Sequence, residues 1–213
     1  MLTNRDKEMI YHIEKYGFIT IAQAYSIWWN DRKYGYDLAR KRLNHCIVLK
    51  QIKGYKPVGN IYAEKIFYIE NKYATPTKSM IISMNIYAEL CRQGADIIHF
   101  KREENWMNEK YRSDAFAVVS LNNKIYSACI EIIDTTKLSY SVHKKTLISK
   151  YEDIYSDDEI ENRLVDITNL DRKFSDSKLI IITELLPKTP IEIDEVEIVL
   201  LDYSLQKLAQ IFA

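Results

Sequence analysis

The chain has 213 residues, nearly half of them hydrophobic, with 30 basic and 30 acidic side chains and few glycines or prolines. This composition excludes disordered and low-complexity classes and describes an ordered globular protein. No apolar run approaches the roughly 20 residues of a membrane span, and Asp6 and Glu8 after Arg5 do not resemble a secretory leader, so a cytoplasmic protein without a membrane partner is expected.

Thr3 caps the first predicted helix, with Asp6 and Glu8 in the first turn where the helix dipole favours negative charge, and Gly17 ends it. Thr20 with Gln23 three residues on is a capping-box pattern, and Ile21, Ala24, Tyr25 and Trp28 recur behind it at helical spacing. A third helix is predicted from about Tyr36 to Val48, with Tyr36, Ala39, Leu43, Cys46 and Ile47 on one face. Lys41, Asn44 and His45 fall on the opposite face, and Arg40 and Arg42 lie on the flanks, where guanidinium groups reach phosphates. Asn44 is the side chain best matched to a bidentate contact with adenine. Strands near Leu49–Lys53 and Ile61–Ile69 follow, joined by a turn with two glycines and a proline and tipped by Lys53 and Lys56. This order predicts a winged helix-turn-helix over residues 1–73 and double-stranded DNA as its partner.

A net charge of zero argues against a nucleic-acid binder, but the average conceals a gradient. Residues 1–73 hold 13 basic and 7 acidic side chains, residues 74–150 hold 11 and 8, and residues 151–213 hold 6 and 15. The basic end coincides with the predicted helix-turn-helix. The acidic third would be repelled by phosphate, so it is expected to face away from DNA, contact a partner or cover the basic surface.

Residues 71–78, with Pro76 between two threonines, read as the connection to a second domain over 77–213. There a helix is predicted to Arg92, stopped by Gly94, then a short strand at Ile97–Lys101 and a hairpin, Ala115–Leu121 and Lys124–Ile133, turned by Asn122-Asn123. A helix at Ser139–Tyr155, an acidic segment, strands at Leu179–Thr183 and Val196–Leu201 and a last helix at Ser204–Phe212 complete a mixed sheet with helices on its faces, giving an α+β protein. Asp114 opens one hairpin strand and Glu131 lies in its neighbour, so two carboxylates meet at one end of the sheet, with Glu109 on the preceding loop or helix. Such a set suits a hard divalent cation and phosphodiester hydrolysis.

In order and spacing several motifs resemble the replication-relaxation family of plasmids and conjugative elements. They are Leu2-Thr3-Asn4-Arg5-Asp6, the Ala39-Arg40-Lys41-Arg42-Leu43 helix, Trp106, Glu109, Arg112-Ser113-Asp114-Ala115 and Glu131-Ile132-Ile133-Asp134-Thr135, covering the chain to about Tyr155. The resemblance implies a winged helix followed by a mixed-sheet domain similar to the PD-(D/E)XK nuclease fold, in a DNA-binding protein accessory to replication, mobilisation or gene control of a mobile element. It also implies an alternative, a Mg²⁺-dependent endonuclease with Glu109, Asp114 and Glu131 as catalytic carboxylates and Asp114 and Glu131 as metal ligands. Against that alternative, Ile133 stands where such nucleases place a lysine, leaving Lys137, Lys144 or Lys145 to replace it, or Arg112 or Lys137 to form plain ion pairs with the carboxylates. A third reading is an adaptor whose acidic end recruits a relaxase, a replication initiator or a second copy of the chain as a homodimer.

No GxxxxGK[ST] loop, GxGxxG turn, GxSxG elbow or HExxH helix is present, so nucleotide hydrolysis and hydride transfer are not expected, and no cofactor is. The four histidines are far apart and Cys46, Cys91 and Cys129 are widely spaced in apolar surroundings, which reads as reduced core thiols rather than zinc ligands. Trp28, Trp29 and Trp106 are expected in the core or at an interface.

Overall fold

A computed structural model describes residues 1–56, 64–70, 75–133, 140–156, 159–169, 175–183, 191–193, 196–205 and 208. The chain is α+β and divides into two compact units, Met1–Arg92 and Gln93–Ala213. None of Cys46, Cys91 and Cys129 is in a disulfide, and among the described residues no helix is long and apolar enough to cross a membrane.

The first unit runs α1 (Asn4–Tyr16), β1 (Phe18–Thr20), α2 (Ile21–Trp28), α3 (Gly35–Val48), β2 (Lys53–Tyr55), β3 (Ile66–Tyr68) and α4 (Lys78–Arg92). Both expected N-caps form. Thr3 and Asp6 make a reciprocal capping box at α1, Thr20 and Gln23 make another at α2, and Gly17 closes α1 in the left-handed region at φ 87°. A side chain at Gly35 would put its Cβ 2.0 Å from the Trp29 carbonyl oxygen, so only glycine lets α3 start this close to the end of α2. Met9, Ile13, Ala24, Trp29, Ala39, Leu43 and Cys46 fill the space between the helices, and Ile19, Ile52 and Phe67 close it from the sheet side.

Three features depart from expectation. Phe18–Thr20 is a strand that pairs antiparallel with β3, so the sheet has the order β1-β3-β2 and β3 is its centre. The first hairpin strand, β2, runs Lys53–Tyr55 rather than Leu49–Lys53, so Gly54 and Tyr55 of the expected turn lie in a strand, while the rest of that turn from 57 on and the expected start of the second strand lie outside the described residues. The helix assigned from the sequence to the second domain belongs to the first unit, which therefore reaches Arg92 rather than ending at 73. The buried Gln23 explains this placement, since its side-chain amide donates to Asn85 Oδ1 at 2.8 Å while its own oxygen caps α2. A residue read only as a cap also ties α2 to α4.

The second unit runs β4 (Asp96–Trp106), β5 (Tyr111–Leu121), β6 (Lys124–Ile133), α5 (Tyr140–Ser156), α6 (Glu159–Thr168), β7 (Ser175–Thr183) and β8 (Glu197–Leu201). The five strands lie in that order in one mixed sheet. β4, β5 and β6 form an antiparallel meander, and β7 and β8 run parallel to β6 and to each other. The β6 to β7 return needs a crossover, which α5 and α6 supply. Asn122 and Asn123 turn the hairpin at φ 53° and 63°, as that dipeptide predicts. β4 extends well past the expected Lys101 and β5 starts before Asp114, so Asp114 lies inside its strand rather than opening it. Phe116, Val118, Cys129, Leu179 and Ile181 face Leu147, Tyr151 and Ile154 of α5 and Ile160 and Leu164 of α6 in one core. Trp106 is fully buried there with its indole N–H donating to Ser113 Oγ at 3.0 Å. The last expected helix falls largely outside the described residues.

Candidate functional site

Helical periodicity divides α3 into two sides. Ala39, Leu43 and Cys46 are buried, while Arg40, Lys41 and Asn44 are exposed together on the opposite side. Tyr36, expected in the core, is on the exposed side and 42 % accessible. Its hydroxyl donates to Glu64 Oε1 at 3.1 Å, and burial first, then the Glu64 charge, raises its pKa. Arg40 pairs with Asp37 at 2.8 Å one turn back, with both side chains more than half exposed, so it is available to a stronger anion. Asn44 Oδ1 accepts from Lys65 Nζ at 3.1 Å, and Lys65 lies at the entry to β3. Lys53 on β2 pairs with Glu70, and Lys56 beyond it is exposed. His45, expected to face outward, is half-buried.

Arg42 has a different task from the one expected on the flank of the helix. Its guanidinium turns onto Asp6 of α1, with Nε 2.9 Å from Oδ1 and Nη2 on Oδ2. Asp6 is completely buried and also accepts from the Thr3 N–H at 2.6 Å and the Thr3 hydroxyl at 2.8 Å. Burial opposes its ionisation, but these donors and the Arg42 charge outweigh burial and hold its carboxyl down at about 2. The pair fastens the start of α1 to the middle of α3.

In the second unit the β5–β6 ladder ends at Ala115 opposite Ile130, and Asp114 and Glu131 are the next residues on the two strands. Both side chains are on the α5 side of the sheet, in line with Phe116 and Cys129. Asp114 Oδ2 accepts from the Ile132 N–H at 2.8 Å, taking the donor that a continuing ladder would use. Glu131 Oε1 accepts from Lys150 Nζ and, at 2.6 Å, from the Tyr151 hydroxyl. Lys150 Nζ also donates to the Arg112 carbonyl at 2.5 Å, so one α5 side chain holds both strands where they part. Burial raises the pKa of both carboxyls. Asp114's charge adds to the rise at Glu131, and Lys150 opposes it at both.

The expected carboxylate trio does not assemble. Glu109 is exposed in the β4–β5 turn at φ 69°, and among the described residues no three His, Cys, Asp or Glu side chains are placed to hold a metal. Arg112, expected beside the carboxylates, reaches out to Glu103 at 3.7 Å. Lys137 and the Lys144 side chain lie outside the described residues, and Lys145 is exposed. Lys150 lies in the third turn of α5, farther along the chain from Glu131 than Lys137, Lys144 and Lys145, and so was not among the expected partners. A usable signal existed, since Leu147, Lys150, Tyr151 and Ile154 form a continuous helical stripe in which a lysine interrupts the apolar side. Glu64 and Lys65 were missed because they lie one residue apart at the edge of a strand whose start the hydrophobic pattern misplaced. Comparison with known proteins gives no match to any family model, curated protein or solved structure.

Proposed function

We propose that the protein binds duplex DNA through the exposed side of α3 and the β2–β3 hairpin beside it. The observation that carries this reading is the clustering of Arg40, Lys41 and Asn44 on one exposed face, with Lys65 bonded to Asn44 from just before β3 and Lys53 and Lys56 in and just after β2. The element order α1-β1-α2-α3-β2-β3, with β1 on the central β3, supports a winged helix-turn-helix in which α3 enters the major groove. In that reading Lys41 and Asn44 reach base edges, while Arg40, Lys53 and Lys56 sit on phosphates. Together with the motif resemblance this supports a DNA-binding protein of a mobile element, accessory to its replication, mobilisation or gene control.

Lys150 favours a second reading, a metal-dependent endonuclease, because it puts a lysine beside Glu131, where Ile133 had left none. The meander of β4, β5 and β6 with β7 parallel to β6 is also compatible with a nuclease-like scaffold. The donor set fits a divalent cation poorly. Glu109 is apart from the carboxylates, Asp114 is committed to a backbone N–H, and Glu131 is committed to Lys150 and Tyr151. The cluster fits a partly buried structural ion pair better.

The DNA reading is tested by mobility shift of the full chain on target-element and random duplexes. Lys41→Ala and Asn44→Ala should each lose roughly 1 to 3 kcal/mol of discrimination. Arg40→Ala and Lys53→Ala should weaken all duplexes alike and lower the salt slope. Absence of any duplex binding at low salt would refute it.

A further inference from the structure

The exposed side of α3 also receives a carboxylate from outside the helix. Glu64, just before β3, accepts from the Tyr36 hydroxyl at 3.1 Å through Oε1 and from the Ala22 N–H at 3.4 Å through Oε2. The local fold does not depend on it. Thr20 and Gln23 already close the start of α2 with bonds of 3.3 and 2.9 Å, and β3 is held by ladders on both sides. Asp6, Asp37 and Glu70 of this unit are each paired with a cation, Arg42, Arg40 and Lys53 respectively. Among the described residues no lysine or arginine forms an ion pair with Glu64. A full negative charge therefore stands on the face where Arg40, Lys41 and Asn44 are exposed, and it points two of its lone pairs at donors that a phosphate oxygen would use equally well.

Resting on the DNA reading above, we propose that Glu64 competes in cis with the DNA backbone. Its carboxylate occupies a position on the α3 face that a phosphate needs, and it lowers affinity for every duplex by a similar factor. Because the competition is with the phosphate backbone, which every duplex shares, the penalty is independent of sequence.

The test uses the full chain with a short random-sequence duplex, read by fluorescence anisotropy over a salt series. Glu64→Gln keeps the size and an acceptor oxygen while removing the charge, and Glu64→Lys reverses the charge. The expected order of affinity is Lys over Gln over Glu. Glu64→Gln should gain roughly three- to tenfold at low salt, as expected for removing one charge repulsion at a protein surface. The gain should shrink as salt screens that repulsion, and the melting temperature should stay the same. Equal or weaker binding by both variants, with unchanged melting, overturns the competitor role while leaving the DNA reading intact. Failure of the wild type and both variants to bind any duplex overturns the DNA reading as well.

Discussion

Replacing Arg42 by alanine separates two roles that the sequence alone leaves superposed, phosphate contact and scaffold. Asp6 is fully buried and its carboxyl is lowered from 3.8 to about 2. At about 1.4 kcal/mol per unit that depression corresponds to about 2.5 kcal/mol of stability, present when the carboxylate is ionised in both states. The folded value lies below the unfolded one, so this contribution is complete above about pH 4 to 5 and is lost as pH falls through 3.8 towards 2. Arg42→Ala removes the partner and leaves a buried carboxylate, which costs about 3 kcal/mol, at the low end for a broken buried pair because Arg42 is about a quarter exposed. Asp6→Asn should cost up to about 2.5 kcal/mol near neutral pH and progressively less in acid. Urea unfolding followed by tryptophan fluorescence, with Trp28 and Trp29 reporting on the first unit, measures both. A loss below about 1 kcal/mol for Arg42→Ala, accompanied by weaker DNA binding, would show that Arg42 serves the duplex and refute the clamp.

Lys150→Met should destabilise the second unit by about 3 kcal/mol, at the low end for a broken buried pair because both side chains are partly exposed, by leaving the partly buried Glu131 without its cation. Burial raises the Glu131 pKa, so the stability held by its protonated form is lost as pH rises through that raised value, and the Lys150→Met deficit should be larger at neutral than at acid pH. Adding Glu131→Gln should recover most of it. With Mg²⁺ or Mn²⁺ the wild type should leave supercoiled plasmid intact, whereas nicking that disappears in both Asp114→Asn and Glu131→Gln would establish the endonuclease instead. Glu159→Ala should cost about 1 kcal/mol and speed hydrogen exchange at the Met107 amide, because Glu159 Oε2 accepts that N–H at 2.6 Å and alanine has no acceptor. An unchanged exchange rate would show that the acidic segment is only a charged surface, as its composition alone suggests.

The sequence by itself determined the local structure of this protein. Capping boxes at Thr3 and Thr20, the stop at Gly17, the amphipathic division of α3 and the Asn122-Asn123 turn are all set by interactions between residues a few positions apart, and each has a recognisable pattern. That Asp114 and Glu131 come to the same end of the two hairpin strands was also legible, because a tight turn sets the register that places them just beyond Ala115 and Ile130. The tertiary structure decided which surface each polar group serves. Arg42 and Arg40 are two residues apart on one helix, yet one is drawn onto a buried carboxylate of α1 and the other stays near the solvent. Gln23 reads as a cap and also fastens α4, and the lysine that compensates Glu131 arrives from 19 positions along the chain. Charge compensation acts through space over a few ångströms and is strongest where water is excluded, so the partner of a buried charge depends on which helix the core brings near it, not on any spacing along the chain.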